Sequence, residues 1–304
     1  MILVTGAGGF IGGHVCGLLS EQGYDVVAID RHFVTPGPYR QIPGDIGSAE
    51  FLNNVMQIGT FDALIHLAAM LNTASRQHPE EALRVNVGSS LTLLRLAAQT
   101  KVRRFIFGSS ISVYGPKPFT VYGEVSEAEP PAPDNVYGVS KRFVELVGQG
   151  YHQQGAFQFV AVRIAMVVGA GARNTATPWR SYIFERLAAQ ESTKIELPFA
   201  RTERLPLIHV EEVAEVIHRF LLVERPSYSV YNTPVENWTA GDLGDYIHSL
   251  NPNIHVIYNP GQARGDPEAI DGQRFTAEFD YQTVPLRRRL QSDYVARRKS
   301  HEPE

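Results

Sequence analysis

Tyr137 and Lys141 stand four residues apart in VYGVSK. On a helix that spacing puts both side chains on one face, about 6 Å apart along the axis. A phenol is a poor base near neutrality, with an ordinary pKa of ~10. An ammonium held ~4 Å away favours the phenolate by up to ~4 kcal/mol in a partly screened site, or roughly three pKa units. The pair therefore reads as a cation-activated proton acceptor. The same spacing also occurs on ordinary solvated helix faces, so its meaning depends on its surroundings.

Those surroundings begin with TGAGGFIG, Thr5 to Gly12, which follows an apolar run and opens a helical pattern. Gly6 allows a tight turn, Gly9 lets backbone N–H groups approach a pyrophosphate, and Gly12 permits close helix–strand packing. Phe10 and Ile11 carry the first N–H groups of the helix, where partial positive charge collects. Asp30 lies eighteen residues past Gly12, at the end of the next apolar run. A carboxylate there accepts from the 2′- and 3′-hydroxyls of a ribose and repels a 2′-phosphate. This favours NAD over NADP, although Arg31 next door is of the type that accommodates that phosphate. Asp45 and Ile46, after a Pro-Gly turn, are placed beside the adenine.

The elements that must hold these residues follow from periodicity. Short apolar runs at Ile2–Val4, Val26–Ile29, Leu64–Leu67, Phe105–Phe107 and Phe159–Val162 read as buried strands. Helical patterns cover Ile11–Gln22, Ala49–Met56, Pro79–Gln99 and Asn135–Gln153. This alternation predicts a Rossmann-like, doubly wound parallel sheet with right-handed crossovers. Residues 116–133 hold five prolines and read as a long surface loop. Helices are expected at Trp179–Ala189, Glu211–Val223 and Ala240–Leu250, with short strands at Leu207–Ile208, Val230–Tyr231 and His255–Tyr258. The expected division is a dinucleotide-binding domain over residues 1–165 and a smaller α/β substrate lobe over 166–304, interleaved with the main sheet.

Composition narrows the classes. The 304 residues carry 28 basic and 32 acidic side chains, net −4, so no basic field invites nucleic acid. The single cysteine, Cys16, excludes an internal disulfide and a thiolate-rich metal site; its expected role is packing in the first helix. No apolar stretch approaches the ~20 residues that span a bilayer, and MILVTGAGG lacks the pattern of a signal peptide. A cytoplasmic protein without membrane or nucleic-acid partners is expected. No His/Asp/Glu group shows metal-ligand spacing, and His209 in LIHVEEV reads as a residue that packs against or caps the following helix. The basic tail from Arg287 reads as a solvated helix face.

Taken together, these segments resemble the extended short-chain dehydrogenase/reductase family, the group of NAD-dependent epimerases and dehydratases. TGAGGFIG resembles its glycine motif, and HLAA, with Leu67, Ala68 and Ala69, the segment that passes the cofactor. VNVGSSLTLL around Asn86 is similar to the helix carrying the family's structural asparagine, grouped here with the cofactor site. SSISVYG resembles the catalytic serine segment, YGVSK the tyrosine–lysine pair, and LIHVEEVAEVI the second-lobe motif. The resemblance implies that Ser110 hydrogen-bonds the reacting oxygen, Tyr137 is the acid/base, and Lys141 binds the nicotinamide ribose and depresses the tyrosine pKa. Chemistry asks for the same set, since hydride removal from a carbinol needs a base for its O–H and a donor for the developing charge.

The residues after Ser110 narrow the reaction. Related 4,6-dehydratases resemble Thr-Asp-Glu here, and this chain has Ile111 and Ser112, so elimination is disfavoured and oxidoreduction remains. Two departures touch the substrate. The family's VRxxN pattern reads VRIAM, with Met166 for the amide, and RD(F/Y)IHV reads LPLIHV, with Leu205 and Pro206 where an arginine would grip a diphosphate. Arg204 next door and Arg264 in ARGDPEA are the candidate replacements, and Ser112 and Met166 complete the expected substrate set. The resemblance implies a sugar or nucleotide-sugar epimerase working through transient oxidation, or a dehydrogenase or reductase of a sugar, sugar acid or small hydroxy compound. It also implies a homodimer, for which Leu91, Leu94, Ala98, Phe143, Val144 and Val147 offer apolar surface.

Overall fold

The computed structural model describes residues 1–171, 179–187, 189–261 and 265–299; Arg264 lies outside them. The chain opens with β1 (Ile2–Thr5), α1 (Phe10–Glu21), β2 (Val26–Asp30), β3 (Arg40–Pro43), α2 (Ala49–Met56) and β4 (Ala63–His66). Then come α3 (Asn72–Gln77), α4 (Pro79–Ala82), a π-helical turn over Leu83–Gly88, α5 (Ser89–Gln99) and β5 (Arg104–Ser110). A 3₁₀ turn over Ile111–Tyr114 leads to α6 (Phe119–Tyr122), α7 (Val136–Gln153) and β6 (Gln158–Ile164).

These strands form a seven-stranded sheet in the order β10-β6-β5-β4-β1-β2-β3, with β10 (Val230–Asn232) contributed from far along the chain. Every pairing in it is parallel, so the fold is the doubly wound α/β sheet the sequence predicts. Alternation along the strands explains the two cores. Ile2, Val4, Ile65 and Ile106 face the layer that holds α1 and α9 (Val210–Leu222). Leu3, Leu64, Phe105 and Phe107 face the layer of α2, α5 and α7. Cys16 is buried in the first layer, as expected.

The remaining elements are β7 (Met166–Val168), α8 (Trp179–Arg186), β8 (Thr193–Leu197), β9 (Arg204–His209), β11 (Glu236–Thr239), α10 (Ala240–Leu250), β12 (Ile254–Tyr258), α11 (Gln273–Glu278) and α12 (Leu286–Lys299). They build two small sheets, β11-β9-β7 and β12-β8, around a third core containing Trp179, Phe199, Leu205 and Trp238. His209 caps α9, accepting from Glu211 N at 3.3 Å, and meets Asp293 at 2.9 Å.

Three expectations are corrected and one strand is added. The helix read as continuous over Pro79–Gln99 is broken by the π turn that carries Asn86. β3 escaped notice because RQIP is polar and lies on the sheet edge. The tail helix is not simply solvated: Arg289 pairs with Glu211 and Glu212, and Arg287 lies 5.1 Å from the Tyr246 ring centre. Leu94 and Val144, offered as dimer surface, are fully buried in their own core, whereas Val136, Val139, Phe143 and Leu146 of α7 are exposed.

Candidate active site

A cavity of about 510 Å³ runs from the glycine turn to the paired tyrosine and lysine. At one end Gly6 adopts φ 71°, a left-handed conformation that a side chain disfavours. A Cβ on Gly12 would come within 2.0 Å of Gly6 O, so only glycine lets α1 pack this closely. Gly9 starts α1 without a side-chain cap, leaving the first N–H groups, those of Phe10, Ile11 and Gly12, to face the cavity unsatisfied. Asp30 lines the same end and accepts from Gly8 N at 3.1 Å and His32 N at 3.2 Å, which fixes its carboxylate. Arg31, Asp45 and Ile46 also border it, with Asp45 paired to Arg84 at 3.1 Å.

The wall formed by Leu67, Ala68 and Ala69 is braced from behind. His66 is fully buried, which drives its pKa down to about 3 with help from the Lys141 charge, so it is neutral. Ser90 gives its proton to Asn86 O, so His66 Nε2 donates to Ser90 Oγ at 2.8 Å. Nδ1 then accepts from Thr5 at 2.6 Å, and Thr5 Oγ1 accepts from Ala68 N at 3.3 Å. Asn86 does not line the cavity. It accepts from Met70 N at 2.7 Å and donates to Met70 O at 2.9 Å, which makes it a brace for this wall.

The other end gathers Ser110, Ser112, Tyr137, Lys141, Met166, Arg180 and Asp266. Parallel β5 delivers Ser110 at its carboxyl end, and α7 presents Tyr137 and Lys141 on one face. Asn135 caps α7 by accepting from Gly138 N at 2.9 Å, which sets where Tyr137 enters the helix. One turn beyond Lys141, buried Glu145 receives Arg163 at 2.9 and 2.8 Å, Ser109 at 2.6 Å and Arg142 at 3.0 Å. Burial opposes that charge, but these partners hold the carboxyl below its ordinary range. Removing one partner of such a buried pair costs ~3–5 kcal/mol, so the network locks α7 to β5 and β6.

Lys141 Nζ donates to Gly108 O at 2.6 Å and sits 5.5 Å from the Tyr137 ring centre. Burial lowers its pKa to about 7, with Glu145 opposing. Tyr137 is pushed up to about 12 by burial; Ser110 pulls it down, the Asp266 charge pushes it up, and Arg180 pulls it down. In the cofactor-free chain, burial outweighs the groups that favour the phenolate.

Among the expected substrate residues, Met166 and Ser112 line the cavity. Arg204 instead lies over the Phe119 ring at 4.0 Å, away from the lining, and Leu205 is buried in the third core. Arg180 and Asp266 went unnoticed in the sequence. Asp266 sits in the ARGDPEA segment singled out for its arginine, but only folding brings it to Ser112, at 2.5 Å. Among the described residues no group of three or more His, Cys, Asp or Glu could hold a metal ion, and no helix is long and apolar enough to cross a membrane.

A glycine turn at a helix start, an acidic residue ending the second strand and a Ser/Tyr/Lys cluster at the far end of one cavity define a dinucleotide-binding α/β enzyme. Residues 2–233 match the family described as NAD dependent epimerase/dehydratase family. A UDP-glucose 4-epimerase of Azospirillum brasilense is 33% identical over 266 residues, covering 84% of this chain and 67% of that protein. The fold is shared with the Thermus thermophilus UDP-glucose 4-epimerase in complex with NAD, at 20% identity, TM-score 0.84 and 98% coverage of both chains. It is shared equally with the GalE-like L-threonine dehydrogenase of Cupriavidus necator, at 21% identity, TM-score 0.85 and 99% coverage of both. The chain belongs to the NAD-dependent epimerase/dehydratase family and is an NAD(P)-dependent enzyme of the extended short-chain dehydrogenase/reductase group.

Proposed function

We propose that the protein oxidises a secondary alcohol of a sugar or nucleotide-sugar and returns the hydride to the other face, a redox-neutral epimerisation. The observation that carries this reading is the convergence of Ser110, Tyr137 and Lys141 on one cavity with the glycine turn and Asp30. The amides of Phe10, Ile11 and Gly12 would hold a pyrophosphate and Asp30 a ribose diol, which favours NAD over NADP. Bound NAD supplies the hydride acceptor and a positive charge on its oxidised ring. Lys141 would hold the ribose next to that ring and fix the Tyr137 ring beside it. Tyr137 exchanges the proton of the substrate hydroxyl, and a nearby positive charge favours its phenolate against burial. Ser110, whose proton rests on Ser112 at 3.1 Å in the free chain, would turn it to the same oxygen and steady the developing charge.

A second reading, a net dehydrogenase or reductase of a sugar, sugar acid or small hydroxy compound, is favoured by one feature of the wall. Met166 stands where an amide is expected, and Arg204 is turned onto Phe119. Among the described residues, neither position therefore brings to the cavity wall a polar contact suited to a diphosphate. Incubation with NAD and a panel of sugars and nucleotide-sugars separates the readings. An isomer appearing without net reduction supports epimerisation; stoichiometric reduced nicotinamide supports the dehydrogenase; neither product from any panel member overturns both.

We also place the protein in the cytoplasm, where its one buried thiol is at home. We assign it a homodimer paired through α7, whose exposed Val136, Val139, Phe143 and Leu146 repeat at helical spacing. Phe143→Glu is expected to convert a dimer to a monomer in sedimentation velocity; a wild-type monomer contradicts the assignment.

A further inference from the structure

We propose that Asp266 and Ser112 form a specificity subsite for a hydrogen-bond donor, a hydroxyl or an ammonium, on the carbon next to the one oxidised. The inference rests on the assignment of Ser110 and Tyr137 as the groups that meet the reacting oxygen.

Three side chains stand in line beside that oxygen's position. Ser110 Oγ accepts from Ser112 N at 3.2 Å and donates to Ser112 Oγ at 3.1 Å. Ser112 donates in turn to Asp266 Oδ1 at 2.5 Å. A serine hydroxyl has one proton, and that of Ser112 is spent on the carboxylate, so toward the cavity Ser112 offers lone pairs only. The second oxygen of Asp266 has no hydrogen-bond partner among the described residues, and Asp266 itself lines the cavity. The wall flanking Ser110 is therefore a row of acceptors with the Asp266 carboxylate at its end, in a cavity end that Arg180 also lines.

At Asp266 itself such a row fits a donor rather than an acceptor. A neighbouring hydroxyl or ammonium on the substrate satisfies Asp266, whereas a phosphate or carboxylate in that place meets like charge. Because the row is partly enclosed, the preference is stronger than it would be in water. The subsite is consistent with either proposed reaction, since a sugar carries a hydroxyl beside each ring carbinol. What it adds is a demand on the neighbouring substituent.

The test uses threonine, 2,3-dihydroxybutyrate and 3-hydroxybutyrate. They share a carbinol and differ in the substituent on the next carbon: ammonium, hydroxyl or hydrogen. Binding of each to the full chain loaded with reduced NAD is measured by calorimetry, and reduction of NAD is followed in parallel. Wild type is expected to bind the two donor-bearing probes about 10-fold or more tighter than 3-hydroxybutyrate. Asp266→Asn keeps the bond from Ser112 but loses the charge. It should cost the ammonium probe about 100-fold and the hydroxyl probe about 10-fold or less, which tells the two donors apart. Ser112→Ala, which leaves Asp266 in place, should weaken both donors modestly and serves as the check if Asp266→Asn unfolds. Equal binding of all three probes, no binding of either donor-bearing probe, or a preference unchanged in both variants overturns the inference. Tyr137-dependent NAD reduction without an Asp266-dependent preference sinks the subsite and keeps the reaction. An Asp266-dependent preference without reduction keeps the subsite and counts against the net dehydrogenase reading alone.

Discussion

The glycine-turn end of the cavity is largely backbone, drawn from residues 6–12, with Asp30 on the next strand and Arg31 and Asp45 beside it. The substrate end is side chains, gathered from segments as far apart as Ser112 and Asp266, 154 residues distant. The first end can be specified by a short contiguous motif, because a turn, a helix start and close packing are local demands. The second depends on how β5, α7, β7, α8 and the segment before α11 meet in space. One half of the site therefore fixes a shared chemistry, and the other leaves the substrate free to change.

The largest effect is expected where the halves join. Tyr137→Phe should lower turnover by ~10²-fold or more while cofactor affinity changes little, read by steady-state kinetics and by titration with NAD. Loss of cofactor binding in that variant would mean the two ends are not separable.

Gly12→Ala acts on the backbone half alone. Its Cβ would lie 2.0 Å from Gly6 O, so the turn must open, at a cost of about 1–3 kcal/mol in stability together with much weaker NAD binding. A variant with unchanged melting temperature and NAD affinity would show that the cradle is not as tight as the geometry requires. Asp30→Asn is the gentler probe. It should weaken NAD by about 10-fold and narrow the gap to NADP, both measured as Kd.

The smallest effect concerns Lys141, whose pKa burial lowers to about 7 from an ordinary lysine value. Between that pH and ~10.4 the unfolded chain binds a proton that the folded chain does not, so stability from this group rises with pH across that window. Relative to Lys141→Met, the wild-type protein without added cofactor should gain melting temperature from pH 7 to pH 9. A flat difference would place the ammonium in a more solvated setting.

This contrast also explains how much was legible in the sequence. The glycine turn, Asp30, Ser110, Tyr137 and Lys141 could be read because each belongs to a short motif tied to a predictable strand or helix end, and all five reach one cavity. The sheet strands were found by their apolar runs, whereas polar β3 on the edge gave no such signal. The π turn at Asn86 was hidden because no residue type marks it: LRVNVG carries neither proline nor a cap signal inside a helical stretch. Arg180 and Asp266 had no local mark at all. Spacing likewise gave the closeness of Tyr137 and Lys141, but not the burial that raises the phenol.

A crystal structure of the protein with bound NAD tests the central claim most directly. The account predicts the pyrophosphate on the amides of Phe10 to Gly12, the adenine-side ribose on Asp30, and the nicotinamide beside Tyr137 with Lys141 on its ribose. A dinucleotide bound elsewhere, or a nicotinamide ring outside reach of the Tyr137 hydroxyl, would contradict it.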